Sequence, residues 1–177
     1  MFRVSCGVVA ALALALASVL SGCGSPPAAQ FVDSEVDWKE AGVPDAPDFD
    51  VGRLIPLDAP RGSALSFGID PGTISIGNDG VVRYVVVASS ASGATNALFE
   101  GIRCSRGEYR LYARHNPEGG WTQVKDSDWE SLFGSMPSRH PLAVAQAGVC
   151  VGRAPNGPLD VMLRTLRGTK HWRRGPI

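Results

Sequence analysis

The sequence has no charge excess: seventeen Lys and Arg stand against seventeen Asp and Glu over 177 residues. Such a chain lacks the basic field that a general nucleic-acid binder needs. Histidine is scarce, and His115, His140 and His171 are too dispersed for their spacing to suggest a metal site. No GxSxG elbow, HExxH pair, Walker loop or dinucleotide GxGxxG occurs, so the common signatures of hydrolases, metalloproteases and nucleotide enzymes are missing. The N-terminal apolar run, residues 8–20, is broken only by Ser18 and stops short of the about 20 residues that a membrane-spanning helix takes. Glycine (21) and proline (13) are plentiful and imply many turns. With 44% hydrophobic residues the chain can build one core, and its length suits one domain.

Residues 8–20, preceded by Arg3, have the length and flanks of a signal-peptide core. The run ends in Leu20-Ser21-Gly22-Cys23, which resembles a bacterial lipobox. Residues 1–22 are then a leader, and Cys23 becomes an acylated first residue. At ~0.8 kcal/mol per buried methylene, several acyl chains (palmitate among them) hold a protein on the bilayer without a spanning helix. Gly24 stands where an aspartate commonly retains a lipoprotein in the inner membrane, so the expectation is the periplasmic face of the outer membrane. Cys6 leaves with the leader and Cys23 is acylated, so the mature domain keeps Cys104 and Cys150. In an oxidising envelope compartment an even pair reads as one disulfide. Closing a loop of about 47 residues is worth ~4 kcal/mol. A redox pair or half a metal site are the competing readings, without the CxxC spacing or the further ligands they usually show.

Residues 23–37 form a tether and the start of an acidic arm, 38–168 the globular domain and 169–177 a basic tail. The arm, 31–53, carries seven carboxylates (Asp33, Glu35, Asp37, Glu40, Asp45, Asp48, Asp50), while Pro44 and Pro47 prevent a long helix. Its composition reads as a solvated segment, with Trp38 and Phe49 as isolated apolar anchors available to dock it. From Ser63 the pattern has period two. Leu65, Phe67 and Ile69 alternate with small residues; residues 73–76 and 81–88 flank the hairpin signal Gly77-Asn78-Asp79-Gly80; residues 96–104 and 108–114 flank Ser105-Arg106-Gly107. Ser127-Asp128-Trp129-Glu130 is a capping box ahead of Leu132 and Phe133, which predicts a short helix ended by Gly134. His140-Pro141 predicts a turn into another. Pro158 opens a third, with Leu159, Met162, Leu163 and Leu166 on one stripe. The expected fold is α+β: an antiparallel meander of about five strands, two or three short helices packed on one face, and one disulfide.

Four residues stand out as candidate binding or structural groups. Arg83 interrupts an apolar strand, where an unpaired guanidinium is costly to bury. Glu100 on the neighbouring strand is its expected cross-strand partner, with Arg103 as the alternative for the pair. The same charges also suit a pocket for a carboxylate, phosphate or sugar. Trp121, beside Gly119-Gly120, is either a surface stacking residue or edge packing. His140 with Ser135 or Ser138 is a nucleophile–base pair on paper, and a turn histidine otherwise. Arg164, Arg167, Lys170, Arg173 and Arg174 around Trp172 read as a solvated helix face and frayed tail, or as a patch for lipid phosphates.

The stretch from Asp79-Gly80-Val81-Val82-Arg83-Tyr84 through Gly93-Ala94-Thr95-Asn96 to Phe99-Glu100-Gly101-Ile102-Arg103-Cys104 resembles the cryptic neisserial protein family. Tyr112-Ala113, Trp121, Trp129, His140 and Leu142 extend the likeness over about residues 38–166. Val149, before the second cysteine, departs from the aromatic expected there. The resemblance implies an exported proteobacterial domain of uncharacterised function, supports the envelope and disulfide readings, and carries over no catalytic residue.

The sequence therefore points to a lipid-anchored envelope protein that acts as a non-catalytic accessory or protein-interaction module, without cofactor or nucleic acid. Its partners are the bilayer and an envelope assembly. A periplasmic binding module for a small anionic ligand or cell-wall glycan is the alternative, and a hydrolase using His140 or Glu100 the third.

Overall fold

The computed structural model describes residues 38–58, 62–136 and 138–172, with side chains in the last helix described as far as Gly168. The chain divides into units 1–37 and 38–177, and all that follows concerns the second. The leader, Cys23 and the tether lie outside the described residues, as do residues 173–177 of the tail.

The fold is α+β, built on an antiparallel sheet. Its path runs β1 (Ile55–Leu57), β2 (Ser66–Ile69), β4 (Val81–Ser89), β5 (Thr95–Arg103), β6 (Glu108–Asn116) and β7 (Gly120–Gln123), with β3 (Ser75–Ile76) also on β4 and β8 (Glu130–Ser131) also on β6. The five expected strands are all present, and β1, β7 and β8 extend the sheet at its margins. The valine-rich β4 is buried from Val81 to Ala88, since a central strand covered on both faces can be apolar throughout. Asp79 and Gly80 turn the chain from β3 into β4, Gly80 at φ 76°.

Each face has its own cover. Val82, Tyr84, Val86 and Ala88 of β4 pack with Val144, Val149, Met162 and Leu166, which come from α1 (His140–Val144), the π-type turn Ala145–Val149 after it, and α2 (Leu159–Trp172). Burying Met162 and Leu166 is worth roughly 1.5–3 kcal/mol each, which fixes α2 on this face. The opposite face, with Val85, Val87, Ala97, Phe99, Tyr112 and Ala113, is covered by Ala46, Phe49, Leu54 and Trp121. A bulge helps: Phe99 pairs with Ala113 but Glu100 with Leu111, so Tyr112 is the extra residue and joins Ala113 on this side. Gly101 leaves room for it, since a Cβ there would stand 2.5 Å from Tyr112 Oη.

Two expectations are corrected. Residues 127–133 form no helix. Glu130–Ser131 pairs with Tyr109 and Glu108, and Leu132 N–H donates to Gly107 O at 2.8 Å. A stretch this short before Gly134 has little helical stability of its own, and the edge of β6 offers its backbone partners. The arm is solvated only in part: Lys39, residues 42–45, Asp48 and residues 50–53 are exposed, while the expected anchors Trp38 and Phe49, with Glu40, Ala46 and Leu54, are held against the sheet, and a 3₁₀ turn, Val51–Arg53, closes the segment. Two short β-strands, β9 (Cys150–Val151) and β10 (Ala154–Pro155), form a separate ribbon, and Cys104 is bonded to Cys150.

Candidate functional site

The register decides where the strand charges go. Tyr84 lies opposite Glu100 and Arg83 opposite Gly101, so Arg83 and Glu100 project to opposite faces and the expected ion pair is not formed. Arg83 meets Asp79 at 2.7 Å and Glu40 of the arm at 3.3 Å. Glu40 also accepts from Arg110 at 2.8 Å and from the Tyr112 hydroxyl. Asp79, itself buried, additionally accepts the Ala41 N–H at 3.0 Å, and its backbone carbonyl accepts from Trp38 Nε1 at 2.9 Å. One hairpin-turn carboxylate thus ties down both the strand cation and the start of the arm. The strand cation does hold a carboxylate, and it is the chain's own.

Arg103 pairs with Glu108 and lies over Trp38, 4.0 Å from the ring centre. The Nε atoms of Arg83, Arg103 and Arg110 are buried without a hydrogen-bond partner among the described residues, and each guanidinium instead faces an aromatic ring. Trp121 donates from Nε1 to Pro47 O at 3.2 Å and packs edge-on against Phe49 and His115. It is arm packing at the sheet edge, with its indole N–H taken. Further along, Asp70 is fully buried and accepts from Arg53 Nε (2.6 Å), Asp50 N (2.8 Å) and Gly72 N (2.9 Å).

Burial works against the charged forms of Asp70 and Asp79. The Arg53 and Arg83 guanidinium bonds, with the amide donors, outweigh it and hold both carboxyls below 3.8. A carboxyl whose pKa is lowered by folding stabilises the fold fully above its unfolded value, and loses that contribution as pH falls through the folded one. The arm is therefore expected to stay docked above about pH 4, the ordinary carboxylate range, and to detach as pH falls below it. Tryptophan emission between pH 6 and 2 reads this through Trp38 and Trp121; emission unchanged down to pH 2 would refute it.

Under the helices lies a second polar line. Glu100 accepts from Tyr84 Oη at 3.0 Å and meets His140 Nε2 at 2.9 Å, while His140 Nδ1 lies 3.0 Å from Ser138 Oγ. The imidazole is stacked on Phe67, with centres 5.3 Å apart. Burial first, and the Glu100 charge second, push the Tyr84 hydroxyl well above its ordinary pKa. The order Ser–His–Glu is that of a hydrolytic triad, but its setting differs. The serine is two residues from the histidine, so their bond is a local turn bond. Glu100 and His140 are buried, and both ring nitrogens of His140 already have partners within the fold. Ser135 is exposed, and no bond joins it to His140 among the described residues.

A groove of about 600 Å3 opens elsewhere, beside the disulfide. Leu132, Leu142 and Ala145 give it an apolar lining, and the exposed Phe133, Arg106 and Arg153 line it as well. None of Ser138, His140, Glu100, Tyr84 or Arg83 lines it. Among the described residues there is no His, Cys, Asp and Glu group suited to a metal ion, and no helix long and apolar enough to cross a membrane. Sequence reasoning singled out neither Asp70, Glu40 and Asp79 as locks nor Phe133 as a groove residue. Asp-Pro-Gly at 70–72 and the turn aspartate at 79 were the available signals.

The CNP1-like family profile matches residues 33–167, which span the sheet, its disulfide and α2 almost to Gly168. No curated protein and no solved structure matches this chain.

Proposed function

We propose that this chain, which belongs to the CNP1-like family, works as a non-catalytic accessory or protein-interaction module, held at the envelope membrane by an acylated Cys23. The observation that carries the non-catalytic part is that its buried carboxylates and its buried imidazole are bonded to other groups of the fold. Glu100 bonds both Tyr84 and His140, and Arg83, Asp79 and Glu40 lock the arm. A catalytic acid or base needs reach to a substrate proton, and these groups spend their reach inside the fold. The lipobox-like Leu20-Ser21-Gly22-Cys23 supports the anchor. The docked arm supports a module whose globular part begins directly at the tether.

The test is quantitative mass spectrometry of proteins crosslinked in cells to the natural form and to a soluble Cys23→Ser form with a replaced signal peptide. The expected result is an envelope protein enriched with the anchored form. Empty lists from both forms would overturn the accessory reading. A second reading, a periplasmic binding module for a small ligand, is favoured by the groove beside the disulfide, at residues other than Arg83, Glu100, Arg103 and Trp121.

A further inference from the structure

We infer that the groove beside Cys104–Cys150 is a thiol–disulfide exchange site, where a cysteine in an extended, uncharged apolar segment of a partner protein forms a mixed disulfide with Cys150. The inference rests on the protein-interaction reading above and names the chemistry by which a partner is held.

Three observations carry it. The first is access. Cys104 and Cys150 both line the groove, so the bond forms part of its wall. Cys104 is 4% exposed and belongs to the core, whereas Cys150 is partly exposed. An attacking thiolate needs a path to one of the two sulfurs, and the groove leads it to Cys150. The electron pair of the incoming thiolate makes the new bond to Cys150 Sγ. The pair of the old bond departs on Cys104 Sγ, which takes up a proton. No oxidant or reductant is consumed, and return attack by Cys104 releases the partner.

The second observation is fit. About 600 Å3 lies inside the range of small-molecule sites, roughly 300–1,000 Å3, and admits a short segment of chain. Phe133 is 71% exposed, an unusual position for a phenylalanine, and it lies over Gly107 with Leu132 buried beside it. Gln146, exposed on the π-type turn, brings a carboxamide whose donors and acceptor match a peptide backbone. The third observation is charge. Glu108 is bound by Arg103, Arg153 Nε donates to Ser105 O at 2.8 Å, and Arg106 is engaged as well. With the charged residues of its lining already partnered, the groove selects by apolar area and not by charge. Opening the ring gives up the loop entropy that the bond holds, so a thiol with no other contact yields little adduct and a seated one yields more.

The probes are two peptides, N-acetyl-Leu-Cys-Leu-amide and N-acetyl-Gly-Cys-Gly-amide, which share one thiol and differ in the flanking side chains. Each is equilibrated in excess with the soluble mature Cys23→Ser protein, free thiols are capped with methyl methanethiosulfonate, and mass spectrometry with peptide mapping locates and counts the adduct. The expected adduct is on Cys150, with the cap on Cys104. The leucine peptide should give about tenfold more of it, which is ~1.4 kcal/mol and less than full burial of one leucine supplies. Phe133→Ser should lower the leucine yield alone and bring the two peptides within about twofold. The position is exposed, and near-UV circular dichroism identical to the parent certifies the fold. Equal yields from the two peptides, an adduct on Cys104, no adduct from either peptide, or a Phe133→Ser protein that keeps the preference would overturn the inference. Exchange through global unfolding gives equal yields, so it is told apart from exchange in the groove. Crosslinking in cells requires no exchange at Cys150, so the site and the accessory reading stand or fall separately.

Discussion

Arg83→Met is expected to destabilise the domain by about 3–5 kcal/mol, the cost typical of breaking a buried ion pair from one side. Arg83 and Asp79 are 3% and 2% exposed, and without the guanidinium the Asp79 carboxylate faces a methionine and the underside of the arm. Glu40 loses one cation but keeps Arg110 and the Tyr112 hydroxyl, so it contributes less to the loss. Neutralising the stranded carboxylate as well, in Arg83→Met with Asp79→Asn, should recover part of the stability, because the penalty comes from an uncompensated charge more than from a lost attraction. Urea unfolding at pH 7, followed by far-UV circular dichroism, measures both. A single-variant loss under about 1 kcal/mol, the scale of a surface pair, would mean that water reaches Asp79.

Replacing Cys104 and Cys150 together by alanine is expected to cost about 4 kcal/mol, from the loop entropy that a 46-residue separation releases to the unfolded chain. The bond also joins the β5–β6 turn to the segment after α1, so its loss loosens the attachment of the helical layer to the sheet. Comparing urea midpoints of the oxidised, reduced and double-alanine proteins checks this. A reduced form as stable as the oxidised one would show that packing alone holds these segments together.

How far the sequence disclosed this molecule depended on the range of the interaction. The strands were legible because alternation and β-branching at 65–69 and 81–88 are local properties, and the hairpin at 77–80 announces itself in four residues. The stripe of Met162 and Leu166 placed α2 for the same reason. Cys104 and Cys150 were legible through counting. The partner of Arg83 was not: facing is set by register, and a register one residue away from Arg83–Glu100 sends the two side chains to opposite faces. The capping box at 127–130 was a true local signal that lost to the backbone edge of β6. Glu40 was hidden among seven arm carboxylates, since nothing in composition distinguishes the acid that will meet two arginines from those that stay in water. The Ser138–His140–Glu100 line joined a local pair to a residue 40 positions away, and only the fold could bring them together.

The arm also dictates an order of events. Glu40 finds Arg110 and Tyr112 70 and 72 residues further on, and Pro47 finds Trp121 after 74. The β4–β5 and β5–β6 hairpins, by contrast, close over short turns. Distant closures cost more chain entropy and gain nothing until the sheet that receives them exists. A chain made from its N-terminus therefore carries its arm with no surface to bind until the strands through β7 have been made. The arm also lies outside the ring closed by Cys104 and Cys150, so it can leave and return while that ring stays shut. The segment nearest the tether is thus outside the covalent ring, and tension on the N-terminus would strip one face of the sheet before it disturbed the disulfide-bonded half of the domain.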